Sequence, residues 1–237
     1  ICYILWDNQY DNVEDSSVKI VTHEENSKLS IANRPFKTRD IDVFIRNSKA
    51  ISILNKIIPE GQETDVMTNH ISPRKPFGID GNIVKTADFH ATKENISDPV
   101  LCYGKSKSIG YVEKNIVSSH LEWIDVYKVY MPYANNIGTE LKDDNQNTFI
   151  GIPNSVCSET FIMAGMDLNL TENSAINLSN YLRTKFARFL LSLSKTSQHG
   201  TSKTDFNEEW TDEKLYKKYN LTQDEINLIE NSIKSMN

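Results

Sequence analysis

Cysteine is scarce in this sequence and poorly placed for cross-linking. Cys2, Cys102 and Cys157 are an odd number, set far apart, with no C-x-x-C pair. That argues against a disulfide framework or a structural zinc site and fits a reducing cytoplasm. No window approaches 18 apolar residues, so no membrane span is expected, and no signal peptide is visible. The five histidines form no H-x-x-x-H or H-x-H pattern, which leaves a metal site without support. G-x-G-x-x-G, Walker A, G-x-S-x-G and kinase signatures are all missing. So is the D/N-P-P-Y/F motif of amino-methyltransferases, since Met131-Pro132-Tyr133 does not match it. Glu140-Leu141-Lys142 and Asp212-Glu213-Lys214 match only the last triplet of a P-D…(D/E)-x-K nuclease pattern, and neither follows a clear strand. On residues alone the chain reads as a binding module rather than an enzyme.

What is present is a globular composition. Of 237 residues, 38% are apolar and 24% charged, enough to bury a real core. The length suits one large domain, or one domain with an appendage. The chain opens at Ile1, inside an apolar run and without an initiator Met, and is therefore read as an excised part of a longer protein or as a chain disordered at its front.

A net charge of −6 argues at first against a polyanionic partner. The charge is uneven, however. Residues 1–30 hold six acids and two bases, and residues 205–237 hold eight acids and four bases. Between them, 173–204 carries Arg183, Lys185, Arg188, Lys195 and Lys203 with no acid. Local field matters more to DNA than total charge, so the acidic total does not exclude it.

The pattern along the chain is of short strands followed by helices. Cys2–Asp7 reads as a buried strand and Val18–Thr22 as its partner. Residues 42–58 read as a helix capped by Asp40 or Asp42 and stopped by Pro59 and Gly61. Residues 59–98 are loop-like. Strand signals then cluster at 100–103, 109–113, 126–131, 148–152 and 160–164. One long helix is expected over 172–194, capped by Thr171. After a polar linker, 210–219 and 222–236 read as short helices. Thr222 with Glu225 forms a capping box on the second.

Several of these segments suit DNA. Arg74, Lys75, Lys105 and Lys107 lie on loops, where cations neutralise phosphates. Ser106, Ser108, Asn154, Ser155, Ser158 and Thr160 can add hydrogen bonds to phosphates or base edges. Lys128 lies within a strand; it points to solvent or, on a concave sheet face, reaches a phosphate. Arg183, Lys185 and Arg188 are read either as DNA contacts or as the wet face of the long helix. Phe77, Tyr103 and Trp123 read as core.

In order, the chain carries I-C-Y-I-L-W-D (1–7), I-R-N-S-K-A-I-S-I-L (45–54), K-P-F-G (75–78) and Y-G-K-S-K-S-I-G-Y-V (103–112). Then come W-I-D-V-Y-K-V-Y-M-P-Y-A (123–134), S-V-C-S-E-T-F (155–161), N-L-S-N-Y-L-R-T-K-F-A-R-F-L (177–190) and D-F-N-E-E-W-T-D-E-K-L-Y-K-K-Y-N-L-T (205–222). Read together, these resemble the carboxy-terminal region of bacterial restriction–modification proteins with a gamma-class, adenine-specific DNA methyltransferase. That group is similar to TaqI-like specificity domains. The resemblance spans nearly the whole chain, and the terminal W-T-D-E-x-L-Y-x-K-Y block is its most distinctive part.

The resemblance implies a target recognition domain over 1–200 with a C-terminal helical extension over 201–237. Its partners would be double-stranded DNA and an upstream methyltransferase domain of the same polypeptide, in a bacterial cytoplasm. It implies no cofactor here. S-adenosylmethionine would serve the parent, which flips out its target adenine, and Mg2+ would serve it only if it also cuts DNA, as type II restriction enzymes do. The implied fold is a mixed, curved β-sheet with packed helices. The strands-then-helices order independently gives α+β. Two alternatives stay open: a stand-alone specificity subunit and a metal-dependent nuclease.

Overall fold

The computed structural model describes residues 17–23, 29–36, 44–58, 65–133, 147–193 and 204–236. The architecture is α+β, but the strands do not join one curved sheet as expected. Among the described residues they form three small ones.

The first is an antiparallel ribbon of β1 (Ser17–His23) and β2 (Leu29–Pro35). Its register pairs Ile20 with Ala32, a partner strand over 29–35 that the sequence does not announce. Residues 2–7 lie outside the described residues. The ribbon ties down the segment 44–49. Arg34 Nη2 donates to the Ile45 carbonyl, and Arg34 Nε donates to Ser48 Oγ at 3.1 Å. Asn47 Oδ1 then accepts the Lys49 N–H at 3.0 Å. These bonds hold 44–49 as a turn, which is why α1 spans only Ala50–Ile57 and has no side-chain cap. Asp40 and Asp42, the expected caps, lie outside the described residues.

The second sheet has the order β4-β3-β7, from β3 (Pro99–Tyr103), β4 (Ile109–Glu113) and β7 (Ser155–Cys157). β3 runs antiparallel to β4 and parallel to β7, so the sheet is mixed. The third has the order β6-β5-β8, from β5 (Lys128–Pro132), β6 (Phe149–Gly151) and β8 (Phe161–Ala164), all antiparallel. Phe77, Val100, Cys102, Tyr130, Val156 and Met163 fill the core between these two sheets. Burial of each such side chain is worth about 1.5–3 kcal/mol against exposure.

The long helix predicted over 172–194 is two helices, α2 (Glu172–Arg183) and α3 (Lys185–Leu193). Thr171 caps the first as expected, in a capping box with Ser174. The break is at Thr184, whose backbone is extended at φ −60°, ψ 151°. Its hydroxyl donates to the Tyr181 carbonyl at 2.7 Å and accepts the Ala187 N–H at 3.1 Å, closing one helix and opening the next. The Asp212 carboxylate takes the Lys185 and Phe186 N–H groups at 3.1 and 2.7 Å. A carboxylate at that end also suits the helix dipole.

Asp212 opens α4 (Asp212–Lys218), and α5 (Gln223–Ser232) comes next in the chain. The Thr222–Glu225 capping box forms as predicted. Leu215, Ile229 and Ile233 share one apolar core with Ile53 and Leu54 of α1 and Phe186 of α3. Phe186 also stacks on Tyr219, with ring centroids 5.2 Å apart. No helix among the described residues is long and apolar enough to cross a membrane.

Candidate nucleic-acid interface

Three loops meet at one end of the two three-stranded sheets. The first covers 72–85. Ser72 anchors its start to β8: its N–H donates to the Met163 carbonyl at 2.8 Å and its hydroxyl accepts the Met163 N–H at 2.9 Å. The chain then turns at Lys75 and Gly78, both at positive φ, 58° and 74°. Any side chain at Gly78 would strike Ser118 Oγ, 1.9 Å from an ideal Cβ, so that turn needs glycine. Phe77 plugs the core beneath. Asp80 caps the short turn Gly81–Lys85 by accepting the Asn82 N–H.

The second loop is Ser158–Thr160, between β7 and β8. It is tied to both neighbours: Ser158 N–H donates to Tyr103 at 2.9 Å, and Glu159 N–H to Ile79 at 2.9 Å. The third is the β3–β4 hairpin. Gly104 N–H donates to Ser108 at 2.8 Å, and Ser106 turns the chain at φ 59°. A Cβ on Gly104 would lie 2.3 Å from Val84 Cγ1, so the hairpin leans directly on the 81–85 turn.

The rim so formed gathers Arg74, Lys75, Lys105, Ser106 and Thr160 of the predicted contacts. Lys105 and Ser106 are exposed, and Lys75 and Thr160 half-exposed. Lys107 shares the Lys105 turn. Arg74 is ion-paired to Glu159 at 3.0 Å, and its guanidinium lies over the Tyr133 ring, 5.0 Å from the centroid. Lys75 lies 3.8 Å from Asp80. Lys85 and Lys105 carry no ion pair among the described residues. Sequence reading passed over Glu159, Tyr133 and Lys85. Glu159 lies between Ser158 and Thr160, and an acid in a loop of hydroxyl donors carries no sequence signal for a nucleic-acid contact.

Four predicted residues do not reach the rim. Lys128 is fully buried, not on a concave face. Its ammonium donates to the carbonyls of Trp123, Ile124 and Val126 at 2.9, 2.8 and 3.1 Å, with the Ile152 carbonyl farther off at 3.5 Å. Burial pushes its pKa down to about 7, opposed by the nearby Cys157 and Asp125. Ser155 and Ser158 are also fully buried; Ser155 accompanies Tyr130 inside, and Ser158 donates to Thr160 Oγ1 at 3.1 Å. Asn154 is exposed but bonds the Pro99 carbonyl at the opposite end of β3 from Tyr103. Four residue steps of strand put it about 13 Å from the rim.

Two other polar features lie elsewhere. His70 is held between Asp167 at 2.8 Å and Asp65 at 3.0 Å. A cavity of about 620 Å3 beside the start of α2 is lined by Asp167, Asn169, Ser174 and Asp205 among others, a lining that repels polyanions. No group of three or more metal-ligating side chains is assembled among the described residues. No family model, curated protein or solved structure matches the chain.

Proposed function

We propose that this chain reads DNA sequence for a bacterial restriction–modification protein that acts in the cytoplasm. Another domain of that protein would methylate adenine N6 from S-adenosylmethionine. In this reading the two three-stranded sheets and their loops correspond to a methylase specificity domain, and α4 and α5 are its helical extension. The observation that carries the proposal is the convergence of the 72–85, 104–108 and 158–160 loops. They set Lys75, Lys85 and Lys105 beside the hydrogen-bonding groups of Ser106 and Thr160 on one rim. Cations on loops bind phosphates, and neighbouring hydroxyls and forked donors reach base edges. The ordered motifs that resemble specificity domains point the same way.

Fluorescence anisotropy with a labelled duplex tests it. The logarithm of the affinity of the 237-residue chain should fall linearly with the logarithm of salt concentration. Reversing Lys105 and Lys107 to glutamate should weaken binding about tenfold or more and flatten that slope. Calorimetry should find no binding of S-adenosylmethionine by this chain. Salt-independent binding, or no effect of the reversal, would remove the rim from consideration.

A further inference from the structure

We propose that Arg74 reads a base, not the backbone: its guanidinium is presented to the acceptor edge of a guanine, with Glu159 and Tyr133 as positioning residues. The inference rests on the DNA-binding reading above and assigns a division of labour within the rim.

The first ground is charge. A phosphate contact works by delivering net positive charge and releasing counterions. The Arg74 charge is already met by the Glu159 carboxylate at 3.0 Å. A phosphate brought to this guanidinium would also meet that carboxylate and be repelled. The major-groove edge of guanine offers O6 and N7, two uncharged acceptors, and a nearby carboxylate does not oppose them. Lys85 and Lys105, with no ion pair among the described residues, suit phosphates better, and so does Lys75, only loosely approached by Asp80 at 3.8 Å.

The second ground is geometry. Base readout needs a fork held in a fixed plane. The guanidinium lies on the Tyr133 ring and is fastened at Nη2. Both supports are themselves secured. Glu159 Oε1 accepts the Gly81 N–H at 3.2 Å, while Oε2 takes Arg74. Tyr133 N–H donates to the Thr160 carbonyl at 2.9 Å, so ring and carboxylate are set by the same turn. The Arg74 side chain is nonetheless 57% exposed, and its Nη1 and Nε make no other hydrogen bond among the described residues. Glu159 takes one Nη2 hydrogen, which leaves the second Nη2 hydrogen with Nη1 or Nε as a fork on an exposed side chain.

The test is selection of bound duplexes from a randomised pool, with the salt slope measured for each variant. The wild-type consensus should contain a guanine that Arg74→Lys and Arg74→Ala lose. Discrimination at that position should fall about tenfold to a hundredfold, with the salt slope essentially unchanged. Lys105→Glu should do the opposite, flattening the slope and keeping the guanine. Glu159→Gln frees the arginine charge, so the slope should steepen by about one phosphate contact while the guanine preference blurs. An Arg74→Ala variant that flattens the slope and keeps the consensus would make Arg74 a phosphate contact and overturn the proposal. A wild-type chain that binds duplexes without any guanine preference would overturn it equally, leaving the DNA-binding reading intact. A chain that binds no duplex would end both. Unchanged thermal unfolding of the Arg74→Lys variant shows that a lost preference is not lost folding.

Discussion

The helical layer and the loop rim use their cations in opposite ways. In the helices several of them turn inward, although Arg183 and Lys217 stay exposed. Lys185 pairs with Glu230, Arg188 is buried and donates to the Lys234 carbonyl at 2.8 Å, and Lys56 pairs with Glu225 at 2.6 Å. At the rim, Lys85 and Lys105 stand in solvent without acid partners among the described residues. The difference teaches that an acid-free stretch of sequence is not a basic surface. Of the three cations in residues 173–193, Lys185 meets Glu230, Arg188 meets the Lys234 carbonyl, and Arg183 stays exposed. Part of the positive charge of this stretch is thus met inside the helical layer, while Lys85 and Lys105 of the loops have no acid partner among the described residues.

The sharpest way to break this comparison is to truncate one cation of each kind. Arg188→Ala removes a side chain with 2% residual exposure, and should cost about 3 kcal/mol in urea unfolding through lost packing. Lys105→Ala, on the rim, should change stability by less than about 0.5 kcal/mol. Equal effects would mean that the two regions do not differ.

Lys128 sharpens the comparison, being a sheet cation that behaves like a helical one. Its folded pKa is lowered to about 7 from an ordinary 10.5, so the unfolded chain holds this proton more tightly. Stability should therefore rise with pH above 7, by about 1.4 kcal/mol per unit at most, or roughly 2 kcal/mol by pH 8.5. Burial pushes Cys102 up to about 12, which acts in the reverse sense once an unfolded thiol ionises near 9. The rise is therefore read below that, as the difference between wild type and Lys128→Met in urea titrations at pH 7 and 8.5. A smaller effect is expected at the far end of the helical layer. Thr222→Ala removes the α5 cap and should cost about 1 kcal/mol, with duplex affinity unchanged.

The strands of the two central sheets were legible to a degree that their chemistry explains. Residues 100–103 and 109–113 are β-branched and aromatic runs bounded by turn residues, and both are strands within a residue. Ser155–Cys157 gave no such signal, since three small or polar-edged residues become a strand only by lying beside β3. The break at Thr184 was hidden for a similar reason. No proline or glycine marks it, and its stabilising carboxylate, Asp212, comes from a separate helix well down the chain. The rim divides the same way. Exposed loop cations could be chosen from sequence because lysine on a turn rarely buries. Lys128 could not be placed, because its burial depends on carbonyls of the 123–126 turn and of Ile152 that converge only in the folded chain. Glu159 was equally hidden, because its meaning lies in Arg74, distant in sequence.

The DNA interface proposed is the loop rim and not the basic helices. Two double reversals of equal charge test it: Lys75→Glu with Lys105→Glu, and Arg183→Glu with Lys217→Glu, the latter pair exposed on the helical layer. Net charge changes equally, so any difference in duplex affinity across a salt series is local. The rim pair should lose about a hundredfold in affinity and about two phosphate contacts from the salt slope, while the helical pair changes little. Equal losses, or a larger loss from the helical pair, would contradict the account.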